Sequence, residues 1–117
     1  MSRSIRKAGM FAARNRTHAA VFSALGDNTR LLLIARLSEG RPASISQLTR
    51  GSRLTRQAIT KHLRVLQRAG IVRNLRAGRE SLFELDPKPL GAARDYLDVV
   101  GRQWDNTLSR LKRFVEA

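Results

Sequence analysis

Apolar residues recur at helical spacing along most of the chain, and the breaks in that spacing divide it into elements. Over residues 17–25, Ala20, Val21, Ala24 and Leu25 step by one, three or four positions and Gly26 stops the run, which predicts a short first helix. Asp27 stands as N-cap for a second helix over 28–38, where Leu31, Leu32, Leu33, Ile34, Ala35 and Leu37 leave little polar face before Gly40 and Pro42. Such a helix belongs at the centre of a core. Ser44 caps a third helix over 45–50, and Gly51 supplies a turn. Thr55 then caps a fourth helix over 56–69, whose Ile59, Leu63, Leu66 and Ala69 form one stripe ending at Gly70. Two helices joined by a short glycine turn are a helix-turn-helix candidate.

After Gly70 the period changes. Residues 71–76 and 81–85 read as strands flanking Ala77-Gly78-Arg79-Glu80, where Gly78 has the freedom a tight hairpin requires. Pro87 and Pro89 precede a long helix over 90–115 with Ala93, Leu97, Val100, Trp104, Leu108, Leu111 and Val115 at steps of three or four. The expected fold is mainly α with a small β-hairpin: a winged helix-turn-helix. Residues 17–117 form its single domain. Residues 1–16 hold Arg3, Arg6, Lys7, Arg14 and Arg16 without an acid and read as a flexible basic arm. An organellar presequence or an added helical turn are the alternatives there.

Charge narrows the partner. The net charge is +14 and the pI near 11.9. Between Glu39 and Glu80 stand Arg41, Arg50, Arg53, Arg56, Lys61, Arg64, Arg68, Arg73, Arg76 and Arg79 with no acid among them. Clustered Lys and Arg release condensed counterions on meeting phosphates, so nucleic acid leads and an acidic membrane surface is the weaker rival. No apolar run approaches the roughly 20 residues that span a bilayer, and the chain is read as soluble with no membrane partner. With no cysteine, disulfides and thiolate metal sites are excluded. His18 and His62, the two imidazoles, lack a zinc-type ligand partner at helical spacing, so no metal and no cofactor are expected. No convergent nucleophile, acid–base pair or paired carboxylates suggest an enzyme.

The fourth helix carries the chemistry. With Ile59, Leu63 and Leu66 inward, Arg56, Gln57, Thr60, Lys61 and Arg64 project toward a ligand; Arg and Lys suit guanine O6/N7 and Gln suits adenine N6/N7 in a major groove. Arg73, Arg76 and Arg79 on the hairpin suit phosphates or the minor groove, and Ser44, Ser46, Gln47, Arg50, Ser52 and Arg53 line the first helix and turn of the motif and suit backbone phosphates. Ser44 serves equally well as a cap alone, and Arg79 has Glu80 or Glu84 as an alternative ion-pair partner. His62 is open to two readings, a donor to DNA or a semi-buried residue between the helices of the motif. An RNA-binding or nonspecific architectural protein is the alternative function, although the basic stretch holds no Phe, Tyr or Trp on which bases would stack.

The segments Leu25-Gly26-Asp27-x-Thr29-Arg30, Thr60-x-His62-Leu63-x-x-Leu66-x-x-Ala69-Gly70 and Gly78-Arg79-Glu80 followed by Leu85-Asp86-Pro87 together resemble the ArsR family of winged helix-turn-helix transcriptional repressors, over about residues 18–115. The resemblance implies a cytoplasmic, nucleoid-associated protein of a bacterium or archaeon. It further implies a homodimer held by the first and last helices, each fourth helix entering a major groove of a palindromic double-stranded DNA operator. Val21, Phe22, Leu97, Val100, Trp104, Leu108 and Leu111 are its candidate interface residues, and Tyr96 is expected to join them. Metal-sensing relatives use cysteines on the third helix or Asp/His clusters on the last. Here the third helix reads Ser46-Gln47-Leu48 and the last has no histidine. The tail Trp104-Asp105-x-x-Leu108-x-x-Leu111-Lys112 is similar to the non-metal branch, for which the inducer or partner protein is not identified by these residues.

Overall fold

The computed structural model describes the backbone of residues 3–116 and the side chains of residues 14–116. Its elements run α1 (Arg3–Leu25), α2 (Asn28–Leu37), β1 (Ala43–Ser44), α3 (Ile45–Thr49), α4 (Arg56–Arg68), β2 (Val72–Ala77), β3 (Glu80–Leu85) and α5 (Pro87–Glu116). The three strands form one antiparallel sheet in the order β1-β3-β2.

The expected caps are all present. The Asp27 carboxylate accepts from the Arg30 backbone N–H, the Ser44 hydroxyl from Gln47 N–H, and the Thr55 hydroxyl from Ala58 N–H. Each satisfies a donor that the first helical turn leaves without an internal partner. Gly51, at φ 74°, turns the chain from α3 toward α4. Gly78, at φ 64°, turns β2 into β3, where Ala77 pairs with Glu80 across a two-residue loop. A side chain at either position would be forced into the left-handed region that L-residues avoid.

The core joins the helix-turn-helix to the sheet. Leu48, Ile59, Leu63, Leu66, Ile71 and Val72 are almost wholly enclosed, with Val21, Ala24, Leu33, Leu37, Phe83 and Ala93 around them. α4 packs on α2, α3 and β2, while α1 lies against α5. The His18 ring stacks on Tyr96 with centroids 4.6 Å apart, and Phe22 meets the same ring at 6.0 Å.

Several boundaries differ from expectation. The first helix starts at Arg3 rather than residue 17; Ala8, Ala12 and Ala13 in this stretch favour helix and no proline breaks it. α2 is not buried all round: Leu33 and Leu37 face the core while Leu31 and Leu32 are exposed. β1, of two residues, was not expected; Ala43 and Ser44 pair with Phe83 and Leu82. Pro87 and Pro89 lie inside the first turn of α5, where a missing N–H costs nothing, and Asp86 accepts from Lys88 N–H just before it.

The Cα radius of gyration is 19.2 Å and the extents are 64 × 44 × 22 Å. A compact chain of this length would have a radius of about 13 Å. Part of the excess comes from α5, at 30 residues, whose Trp104, Leu108, Leu111, Phe114 and Val115 are exposed. Among the described residues, no helix is long and apolar enough to cross a membrane.

Candidate nucleic-acid interface

α4 is the most strongly two-faced element of the chain. Ile59, Leu63 and Leu66 anchor its inner side, and Arg56, Gln57, Lys61 and Arg64 are exposed, with Thr60 half-buried. Gln57, Lys61, Arg64 and Arg68 follow one another at steps of three and four, so they share one helical face. Among the described residues none of Lys61, Arg64, Arg76 and Arg79 has an acidic partner within ion-pair distance. Unlike a solvated salt-bridged helix face, this surface leaves its positive charge uncompensated.

Arg56 is held in place. Its Nη1 donates to Ser46 Oγ at 2.9 Å, fastening the start of α4 to α3, and Thr60 Oγ1 donates to the Arg56 carbonyl at 2.7 Å. Ser44 and Gln47 are occupied with each other. Gln47 N–H donates to Ser44 Oγ at 3.1 Å, and Ser44 N–H to Gln47 Oε1 at 2.8 Å, a reciprocal capping box. Arg53 is exposed in the turn, where Ser52 Oγ accepts from Leu54 N–H.

On the hairpin, the ion pair with Glu84 that was the alternative for Arg79 is made by Arg73. Glu84, on β3 directly opposite Arg73, accepts from its Nη2 at 2.9 Å. Arg73 is therefore tied within the wing, whereas Arg79 at the tip and Arg76 remain exposed, with no acidic partner among the described residues.

His62 points away from the outer face of α4. Its Nδ1 lies 3.3 Å from Arg30 Nη1 and 3.7 Å from Asp27 Oδ2. A guanidinium only donates, so in the Arg30 contact Nδ1 accepts and the ring proton sits on Nε2. His62 is half-buried, as in the second of its two readings, but its partners are side chains at the start of α2 rather than groups between the helices of the motif. Arg30 itself reaches further, with Nε donating to the Ala24 carbonyl at 2.6 Å and Nη2 to the Ser23 carbonyl at 3.3 Å. It caps the C-terminal end of α1 and at the same time touches α4. The Asp27 carboxyl titrates below the ordinary carboxylate range, chiefly because it accepts from the Arg30 backbone N–H, with the nearby Arg30 charge adding to this against partial desolvation.

Sequence reasoning assigned no such role to Arg30, nor to Arg36. The latter donates from Nη1 to Leu48 O and from Nη2 to Gln47 O, both at 2.8 Å, closing the carbonyl end of α3. A basic residue near another helix's C-terminal carbonyls is the relevant signal, but pairing them requires the tertiary fold.

The expected interface residues separate into two groups. Val21 is buried in the core of the chain, whereas Phe22 is half-buried against Tyr96, whose own ring remains partly exposed. Leu97, Trp104, Leu108 and Leu111 are exposed, with Val100 half-buried beside them.

A capped helix-turn-helix, a basic outward face on its second helix and a hairpin tipped with arginine define a winged helix-turn-helix DNA-binding protein. The helix-turn-helix domain model matches residues 25–74. The chain is 33% identical over 96 residues to the HTH-type transcriptional regulator Rv2034 of Mycobacterium tuberculosis, covering 82% of this chain and 86% of that one. It is 40% identical over 77 residues to the uncharacterized HTH-type transcriptional regulator YuzN of Bacillus subtilis, covering 61% of this chain and 84% of the relative. An ArsR-like transcriptional regulator from Rhodococcus sp. RHA1 superposes with a TM-score of 0.79 at 33% identity, over 93% of this chain and 95% of that one. The chain belongs to the ArsR family of helix-turn-helix transcriptional regulators. It is a DNA-binding regulator of transcription and not an enzyme.

Proposed function

We propose that the protein is a sequence-specific, dimeric repressor acting at an inverted-repeat operator, and that it senses no metal. The observation that carries the reading is the outer face of α4, where Arg56, Gln57, Lys61 and Arg64 stand exposed without acidic partners among the described residues. In this reading Arg56, Gln57, Thr60 and Lys61 meet base edges. Arg64, Ser46, Arg53, Arg76 and Arg79 meet phosphates, and Arg73 contributes field from within its ion pair. Ser44 and Gln47 hold the α3 terminus, and His62 serves the α1–α2 junction rather than the groove. Repression follows from occupancy, because a bound dimer denies the promoter to polymerase.

Dimerisation rests on α5. Leu97, Val100, Trp104, Leu108 and Leu111 form an apolar seam that the protomer leaves uncovered. A second copy would cover the same surface through a twofold contact, and would account for the extended shape of the single protomer. The absence of cysteine and the separation of His18, stacked on Tyr96, from His62, set against Asp27, support the reading without metal.

Hydroxyl-radical footprinting on a fragment bound by the protein tests this reading. The expected result is two protected half-sites related by a dyad, with centres about one helical turn apart. Uniform protection without a dyad would overturn it in favour of architectural binding.

A further inference from the structure

A groove of about 720 Å³ runs along the outer side of the helix-turn-helix, between α2, the end of α3 and the turn that leads into α4. Sites for small molecules commonly enclose roughly 300–1,000 Å³. Its apolar lining includes Leu32, Leu48, Leu54 and Ile59, and Leu32 is 59% exposed although it sits on a core helix. No aromatic side chain lines the groove, so it offers a base or aromatic ring nothing to stack on. Its charge comes from Arg36, Arg50 and Arg53 against a single carboxylate, Glu39. Among the described residues Arg50 and Arg53 have no acidic partner, and Arg36 is fixed by the two carbonyls of α3.

We propose that this groove binds a singly charged amphiphile, an alkyl carboxylate, with its chain against Leu32 and Leu54 and its head on Arg50 and Arg53. The occupant would share its arginines with DNA, because Arg53 lies in the turn assigned above to phosphates. A carboxylate on these guanidinium groups removes positive charge from the DNA-facing turn. A chain beneath Leu54 also bears on the glycine turn that sets α3 against α4. Ligand and operator therefore oppose each other, and by linkage each weakens the other equally. This coupling rests on the DNA-binding reading, whereas the binding of the amphiphile does not.

Dodecanoate, kept below its micellar concentration, is the probe, with dodecanol and acetate as chain-only and head-only comparisons. Calorimetry of the full chain without DNA is expected to give one dodecanoate per protomer, at least tenfold tighter than either comparison. Leu32→Asn, at an exposed position, should fold normally and lose at least tenfold in dodecanoate affinity, as should Arg50→Gln, while Arg102→Gln on α5 should not. Saturating dodecanoate should weaken operator binding by the unmutated protein about tenfold and leave operator binding by Leu32→Asn unchanged. Equal binding of dodecanol, undiminished binding by Leu32→Asn, or a loss in Arg102→Gln would overturn the site. Tight dodecanoate binding with unchanged operator affinity would overturn the coupling.

Discussion

Removing the Arg30 side chain tests whether α1 and α4 are joined as the contacts indicate. Arg30→Ala deletes two charge-assisted hydrogen bonds, to Ala24 O at 2.6 Å and Ser23 O at 3.3 Å, and the contact with His62. The backbone N–H that caps onto Asp27 remains, so the substitution isolates the guanidinium. A hydrogen bond involving a charged group contributes about 1.5–3 kcal/mol. The second bond is long and exposed, so the sum falls at about 2–3 kcal/mol. For a domain of this size each kcal/mol moves the midpoint by about 4 °C, which gives a loss of about 8–12 °C in a thermal melt at fixed protein concentration. Arg30→Lys places one ammonium where a fork stood, and should recover less than half of the loss. A midpoint within about 2 °C of the unmutated protein would refute the clamp.

Other expectations follow from separate parts of the molecule. The folded Asp27 carboxyl has a lowered pKa, so its contribution is fully present above the unfolded value of about 3.9 and is lost as pH falls through the folded value. The stability gap between the unmutated protein and Asp27→Asn in urea titrations should accordingly narrow below about pH 4; a gap that widens on acidification would contradict the shift. Trp104 is 61% exposed in the protomer, so Trp104→Arg should leave helix content intact while light scattering reports monomers. Dimers that persist would place the seam elsewhere. Arg79→Ala should weaken all DNA sequences alike and lower the salt-dependence slope by about one; a change confined to one base position would assign it to base reading.

The caps and glycines that punctuate the chain were legible because they act locally. Asp27, Ser44 and Thr55 each bind a backbone N–H three residues on, and Gly78 answers to the hairpin loop alone. The inner stripe of α4 was equally plain, since Ile59, Leu63 and Leu66 repeat on one helical face. Most of what escaped depends on distant partners. Leu31 and Leu32 look like core residues until the fold shows that α2 buries only one side. Two-residue β1 exists because β3 offers it an edge. Arg73 and Arg79 are alike in sequence, and only the strand register sets Glu84 opposite the first. Gln47 looked available to DNA, yet it completes a capping box with Ser44, the Ser-x-x-Gln spacing of which was present to be read. Val21 has the spacing of a seam residue, but its side chain is buried in the core.

The central claim, that the outer face of α4 reads base sequence, is tested most directly by selecting binding sites from a random duplex pool with the unmutated protein and with Gln57→Ala. The account predicts a dyad-symmetric preference for the former, and for the latter the same preference relaxed at one position in each half-site. An unaltered preference in Gln57→Ala, or no preference in either protein, would contradict it.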